Sequence, residues 1–194
     1  REIDDKLTVF DDKIRADVAA KCDGFAGEYY NVLVASLRQS IAAHKLVRDG
    51  ADVLFLSKEC CSNGSIATVD VSYPSIPLYL LYNTELVKGM MRPILKFARM
   101  PVWNFDFAPH DAGTYPVCNG QGYGLKRSVE AKLGTTYKQG DVTTRFPTYN
   151  LPASADVYDF DMQMPVEECA NMLVMFYACL HFDKDTTFFA QNAE

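Results

Sequence analysis

The segment from Pro165 to Asp185 constrains the fold more than any other. Val166, Cys169, Ala170, Leu173, Tyr177 and Leu180 recur at i, i+3, i+4, i+7, i+11 and i+14, the spacing of one helix face. Pro165 suits a first helical position, where the missing N–H has no intrahelical partner to lose. Asp183 and Asp185 end this helix, and Asp185-Thr186 caps a further one over Thr187 to Ala190. The longest apolar run, Met172 to Leu180, has nine residues, about half of what a membrane span needs. No membrane span is therefore expected, and the helix reads as part of a protein core.

The same period recurs upstream. A short helix is expected over Asp11 to Ala20, separated by Asp23-Gly24 from a longer one over Phe25 to Val47. In the longer helix Tyr30, Leu33, Val34, Leu37 and Ile41 share a face, and Asp49-Gly50 ends it. Val53 to Leu56 reads as a short strand. Tyr73 to Tyr82 is apolar but holds Pro74 and Pro77. Both fit a helix only if it starts near them, with Thr68 or Asp70 as candidate caps. Asn83-Thr84 caps a helix from Glu85 to about Arg99, in which Leu86, Met90, Pro93, Ile94 and Phe97 keep helical spacing and Pro93 introduces a kink. Residues 100–128 are irregular and rich in Gly, Pro and aromatics, and loops of that length usually carry function. Residues 129–160 are weakly patterned. The expected class is mainly α: one domain over residues 1–194, an α/α array with long ornamented loops and a few short strands.

Composition narrows the function classes. With 194 residues, 48% of them hydrophobic, the chain can bury one sizeable core. Its 1 Trp, 11 Tyr and 12 Phe exclude disorder. A net charge of −6 repels phosphate backbones, so no nucleic-acid partner is expected. The six cysteines, at 22, 60, 61, 118, 169 and 179, contain no C-x-x-C pair. Cys60 and Cys61 are adjacent, poor geometry for bonding to each other, and Cys169 and Cys179 read as buried thiols. The chain starts at Arg1 without Met and stops at Glu194, a few residues into a new helix. The expectation is a piece of a longer protein.

Three constellations could carry chemistry. In FAPHDAGTYP (107–116), Pro109 and Gly113 flank His110 and Asp111, so a rigid corner presents an imidazole beside a carboxylate. In MPVEECANM (164–172), Pro165 places Glu167 and Glu168 in a helix first turn. There the helix dipole favours ionised carboxylates, suited to a base, a nucleophile or an amine anchor. These two are about 100° apart around the axis, so only one can enter a given pocket, and Asn171 could join either. In SKECCSNGSIATVDVSYP (57–74), Glu59, Asn63, Asp70 and Tyr73 lie among small and apolar residues. Asp70, between two valines, reads as a cap, a buried hydrogen-bonded group or a site residue. His44 and His181 sit near expected helix ends and read as packing or capping groups. Asp156, Asp159 and Asp161 lack calcium-loop spacing. No serine-nucleophile elbow, phosphate loop or H-E-x-x-H occurs, so the motifs imply neither a metal nor a cofactor.

Taken in order, SKECCSNGSIATVDVSYPSIPLYLLYN, FAPHDAGTYP with the following NGQGYG, and MPVEECANM resemble the glutaminase A family, more narrowly its six-helical-hairpin domain. IAAHKLV at 41–47 matches as well. The resemblance runs from about Asp4 to the end. It implies the first part of an (α/α)6 toroid, of the kind also found in several glycoside hydrolases, within a larger secreted or periplasmic protein with flanking domains. It implies hydrolysis of glutamine to glutamate and ammonia. Motif membership covers Asn63, Asp70, His110, Asp111, Tyr115, Glu167, Glu168 and Asn171. Without a serine nucleophile, a carboxylate-activated water is expected, with Asp111 or Glu168 as base, His110 near the oxyanion and Asp70 alongside. Asn63, Tyr115, Glu167 and Asn171 would bind substrate, and Lys58 or Arg127 would meet its carboxylate. Two alternatives accompany this reading. One is a glycoside hydrolase or carbohydrate-binding toroid, with two of Asp70, Asp111, Glu167 and Glu168 flanking a sugar and Trp103 stacking on it. The other is a non-catalytic wall of a pocket. Exposed apolar surface and self-association are expected of a piece of a ring.

Overall fold

The computed structural model describes residues 2–22, 26–59, 63–128, 137–139, 142–144 and 147–193. It is mainly helical and divides into two compact units, Arg1–Ala42 and Ala43–Glu194. Asp23-Gly24 and Cys60-Cys61 lie outside the described residues.

The first unit is a pair of helices, α1 (Glu2–Lys21) and α2 (Ala26–Ala42). α1 is longer than its sparse apolar pattern predicts. Lys6 pairs with Glu2 and Arg15 with Asp11 at i, i+4, surface pairs that support a polar helix. The helices are tied by the Tyr30 hydroxyl donating to Asp11 and by the Arg15 guanidinium 3.9 Å above the Tyr30 ring. Of the expected α2 face, Tyr30 is buried while Leu33, Val34 and Ile41 stay exposed.

The second unit opens with a hairpin where the sequence predicts helix. β1 (His44–Asp49) pairs antiparallel with β2 (Asp52–Ser57), from His44 opposite Ser57 to Asp49 opposite Asp52. Asp49-Gly50 thus turns a hairpin instead of ending a helix. Tertiary contacts decide this: His44 stacks on Phe55, ring centroids 4.5 Å apart, and its Nδ1 lies 3.1 Å from the Tyr79 hydroxyl. The short strand β3 (Ser65–Ile66) follows and leads into α3 (Val69–Tyr82). α3 starts earlier than its prolines suggest, so Pro74 and Pro77 lie inside it. Each removes one helix hydrogen bond, against which stands the burial of Val69, Ile76 and Tyr79.

α4 (Thr84–Ala98) is capped as expected, the Asn83 side chain accepting from Glu85 N at 2.9 Å. It presses onto β2 so closely that a Cβ on Gly89 would stand 3.1 Å from the backbone of Val53 and Phe55. The irregular stretch that follows holds β4 (Gly113–Thr114), paired antiparallel with β3. β5 (Tyr137–Gln139) and β6 (Val142–Thr144) form a further small pair. α5 (Pro165–Asp183) and α6 (Thr187–Ala190) complete the unit.

One core joins Phe55, Ile76, Met90, Ile94, Met175 and Phe188. A second surrounds Trp103 with Phe97, Val157 and Tyr158. α5 is where its pattern places it, but turned. Glu168, Met172, Met175, Phe176 and Cys179 are buried, while Val166, Leu173 and Tyr177 are 83%, 62% and 68% exposed. Residues 172–180 are apolar on all sides, so periodicity could not choose the buried face. Cys179 is a buried thiol, as expected, whereas Cys169 is only half-buried.

Candidate functional site

The three motifs meet within the second unit. Asp70 stands in the first turn of α3 and Glu168 in the first turn of α5. His110 sits between them on the loop, fixed at its carbonyl by Val69 N (2.9 Å) and at its own N–H by Gln121 Oε1 (2.7 Å). One oxygen or nitrogen from each of Asp70, His110 and Glu168 falls within 4.8 Å of the other two. Two helix starts therefore face one imidazole.

Asp111 orients that imidazole. Its Oδ2 lies 2.9 Å from His110 Nδ1 and accepts from Tyr123 N at 3.2 Å. Its Oδ1 accepts from Gly113 N and Gly122 N, both at 2.9 Å. The carboxylate is fully buried and each oxygen is doubly engaged. With Nδ1 committed to Asp111, Nε2 is the ring atom left for Asp70 and Glu168. Tyr123 stacks on the imidazole, centroids 4.4 Å apart.

The turn needs its glycine. Gly113 has φ +145°, and a Cβ there would stand 2.4 Å from Asn119 Oδ1. That oxygen accepts from Thr114 N at 2.9 Å. Behind it, buried Gln121 donates through Nε2 to Tyr123 O (2.7 Å) and to Gln163 Oε1 (2.8 Å). Asn119, Gln121 and Tyr123 are the positioning residues that motif reading passed over. Their signal was the glycine-flanked NGQGYG, a run of polar groups in a turn.

The electrostatics follow from burial. Glu168 is 1% exposed; Asp70 Oδ1 is buried without a hydrogen bond among the described residues, and the buried Glu168 oxygens have only a long one from Asn171. Burial pushes the Glu168 pKa up to about 7, opposed by the His110 charge, reinforced by Asp70 and Glu167, and opposed again by the Asn171 amide. The helix dipole alone predicts an easily ionised group, but desolvation outweighs it. Burial also disfavours charge on His110. The hydrogen bond and charge of Asp111, with Glu168 and Asp70, outweigh it and hold the imidazole above its usual range.

Other expected site residues stand apart from this cluster. Glu167 is exposed, as the 100° offset requires once Glu168 points inward. Asn171 is the exception: half-buried and three residues beyond Glu168, its amide reaches the Glu168 carboxylate. The exposed Asn63 accepts from Ser65 N at 2.8 Å, fixing a turn. Tyr115 carries Lys58 Nζ 4.4 Å over its ring. Trp103 is buried, its Nε1 donating to Phe107 O at 2.8 Å and its ring packed by Phe105, Phe107 and Tyr158. That packing leaves it no open face for a sugar. A cavity of about 720 Å³ reaches Asn63, Thr114, Tyr123, Arg127 and Asp159. None of the three cluster residues lines it, but Tyr123 forms a wall between it and His110.

Comparison with known proteins agrees with the motifs. Over 182 residues the chain is 29% identical to Glutaminase A of Aspergillus oryzae, covering 94% of this chain and 21% of that protein. It is 28% identical over 150 residues to a probable glutaminase of Arthroderma benhamiae, covering 77% of this chain and 14% of that one. The chain thus spans about a fifth or less of the length of these curated relatives. No solved structure matches it. The profile of the glutaminase A six helical-hairpin domain matches residues 26–194, and the chain belongs to that family.

Proposed function

We propose that the chain forms the hydrolytic part of a glutaminase-like protein, converting glutamine to glutamate and ammonia at the Asp70–His110–Glu168 cluster. The observation that carries this reading is the convergence of all three motifs on one cluster of acid and imidazole side chains, with His110 and Glu168 buried and Asp70 half-buried. Amide hydrolysis needs a base for water and a proton for the leaving amine. Glu168, with a pKa of about 7 and only a long hydrogen bond from Asn171, takes the proton as water attacks the side-chain carbonyl carbon. It returns that proton to the nitrogen as the C–N bond breaks. His110, held by Asp111, faces the developing negative charge. Asp111 is a positioning residue in this scheme, because its oxygens are already engaged by three N–H groups and the imidazole. Ammonia release from glutamine, measured in a chain that includes the rest of the family's domains, tests this. Glu168→Gln should lower kcat by ~10² or more, and undiminished turnover rejects the assignment.

The same reading places the segment in a longer secreted or periplasmic chain, as part of an (α/α) toroid whose further hairpins cover Val166, Leu173 and Tyr177. The relatives' length and the exposure of that α5 face support the longer chain and the covering hairpins; the secreted or periplasmic location follows from the family resemblance alone. The segment alone should then self-associate, and a strictly monomeric species by light scattering at high concentration argues against it. The spacing of Asp70 and Glu168 also approaches the ~5–5.5 Å of carboxyl pairs in retaining glycosidases. Release of reducing sugar in place of ammonia would select that second reading.

A further inference from the structure

We infer that Asp70, His110 and Glu168 bind a divalent transition-metal ion, of the Zn²⁺ or Mn²⁺ type, through one carboxylate oxygen each from Asp70 and Glu168 and through Nε2 of His110. This rests on the reading of the cluster as the working site and assigns that site a cation.

Four observations carry it. First, the donor set is one imidazole and two carboxylates, three protein ligands, the number that leaves room for a water on a catalytic metal. Second, the donors are close. Tetrahedral ligands ~2.1 Å from an ion stand about 3.4 Å from one another. From separations of up to 4.8 Å, the cluster closes on an ion when each ligand atom moves inward by about 0.8 Å or less.

Third, Asp70 Oδ1 is buried with no hydrogen bond among the described residues, and the buried Glu168 carboxylate has only a long one from Asn171. Two carboxylates this close, Glu168 buried and Asp70 half-buried, repel each other, and a lone imidazole offsets only part of that repulsion. A doubly charged ion removes it and supplies the missing partners. Fourth, the second ring nitrogen of His110 is bonded to a buried carboxylate that three backbone N–H groups hold in place. A ligand histidine is oriented in this way, with a carboxylate behind it fixing the tautomer and ring plane. The imidazole binds as the neutral ring, so loading releases any proton it or Glu168 holds. Glu168 gives one oxygen to the ion and keeps the other for the proton of the bound water.

Spacing within the sequence could not reveal such a site. Asp70 to His110 and His110 to Glu168 are long loop-and-helix separations, unlike the short intervals of recognised metal motifs.

The test uses this chain after exhaustive chelation. Zn²⁺ is titrated calorimetrically and Co²⁺ is followed by its visible absorption. One equivalent should bind, with Co²⁺ giving the absorption of a low-coordinate N/O site. Glu168→Gln and Asp70→Asn should each weaken binding at least about tenfold, while Glu28→Gln, at an exposed residue of α2, should leave it unaltered. Circular dichroism of each variant verifies folding. Failure to bind either ion overturns the inference, as does binding that survives Glu168→Gln and Asp70→Asn together. Binding of glutamine by the metal-free chain, lost in Glu168→Gln and accompanied by no metal uptake, also overturns it and makes the two carboxylates an ammonium anchor. The two readings separate cleanly. A longer chain that hydrolyses glutamine undiminished after chelation keeps the hydrolase and loses the metal. A chain that binds the metal while Glu168→Gln leaves ammonia release intact keeps the metal and loses the hydrolase assignment.

Discussion

Nδ1 of His110 lies 2.9 Å from Oδ2 of Asp111, its immediate neighbour in sequence, and both side chains are buried. Adjacent residues seldom face each other this way. Here the carboxylate turns back onto the ring because Gly113, Gly122 and Tyr123 ring it with backbone N–H groups. Asp111→Asn should break this arrangement. An amide nitrogen must then confront either a backbone N–H or the imidazole, leaving a buried donor unpaired at a cost of about 1–3 kcal/mol. Urea unfolding should show that loss. An NMR titration of His110 should show its pKa fall toward the ordinary histidine value, since the hydrogen bond and charge of Asp111 help hold it up.

Glu168 should make stability fall as pH rises through the weakly acid range. Its folded pKa of about 7 lies above the ordinary 4.5, so between these values the native state holds a proton that the unfolded chain has released. The contribution is fully present below 4.5 and is lost as pH climbs through about 7, a change of at most ~3 kcal/mol. His110, also raised, acts in the same direction: its contribution is present below its unfolded value and lost above its folded one. Thermal melts from pH 4.5 to 8 should fall for the native chain, and less steeply for Glu168→Gln. The variant should be the more stable of the two at pH 8.

Gly113→Ala should unfold the corner that holds His110. Besides the unfavourable φ, its Cβ would meet Asn119 Oδ1 at 2.4 Å and Asn119 N at 2.5 Å. Neither is the end of a flexible side chain free to move, since the Asn119 amide is tied to Thr114 N. A loss of about 3 kcal/mol or more is expected in urea. Gly27→Ala, in α2 where a Cβ meets nothing within 4 Å, is the control. It should gain up to ~1 kcal/mol.

Lys88→Ala should be more harmful than Lys88→Met. The Lys88 ammonium, nearly buried, stands 2.7 Å from Asp183 Oδ2 and 3.7 Å from Asp185, joining α4 to the end of α5. Removing it strands a partly buried carboxylate. The cost should be about 2–3 kcal/mol, below that of a fully enclosed pair, because Asp183 keeps some contact with water. Methionine restores the lost packing but not the charge, and the midpoint difference between the two variants measures the stem's share.

Sequence pattern located helices well where one face alone is apolar. α4 is the clearest case: Met90, Pro93, Ile94 and Phe97 were legible as a face and are buried together. α5 was legible as a helix but not in its rotation, because its second half is apolar all round. Of the hairpin over 44–57, β2 was legible as the strand at 53–56, but β1 read as helix, since the rings that hold His44 in place, Phe55 and Tyr79, come later in the chain. Within the site, His110, Asp70 and Glu168 were legible as polar groups in apolar or turn settings. The distinction between Asp111 and Glu168 was not. It depends on where the backbone N–H groups of the NGQGYG turn point, which residue types do not encode.

Asp70 and Glu168 each ride on the first turn of a different helix, and α3 and α5 are held together by one core containing Ile76, Met172 and Met175. A ligand bridging the two carboxylates is therefore a clamp on helix docking. At a hundred times its dissociation constant such a ligand adds about 2.7 kcal/mol to the resistance against unfolding. Conversely, a core substitution such as Met175→Ala, far from the imidazole in sequence, registers as weakened affinity because it lets the jaws of the clamp part. Occupancy and folding in this chain are two readings of a single equilibrium.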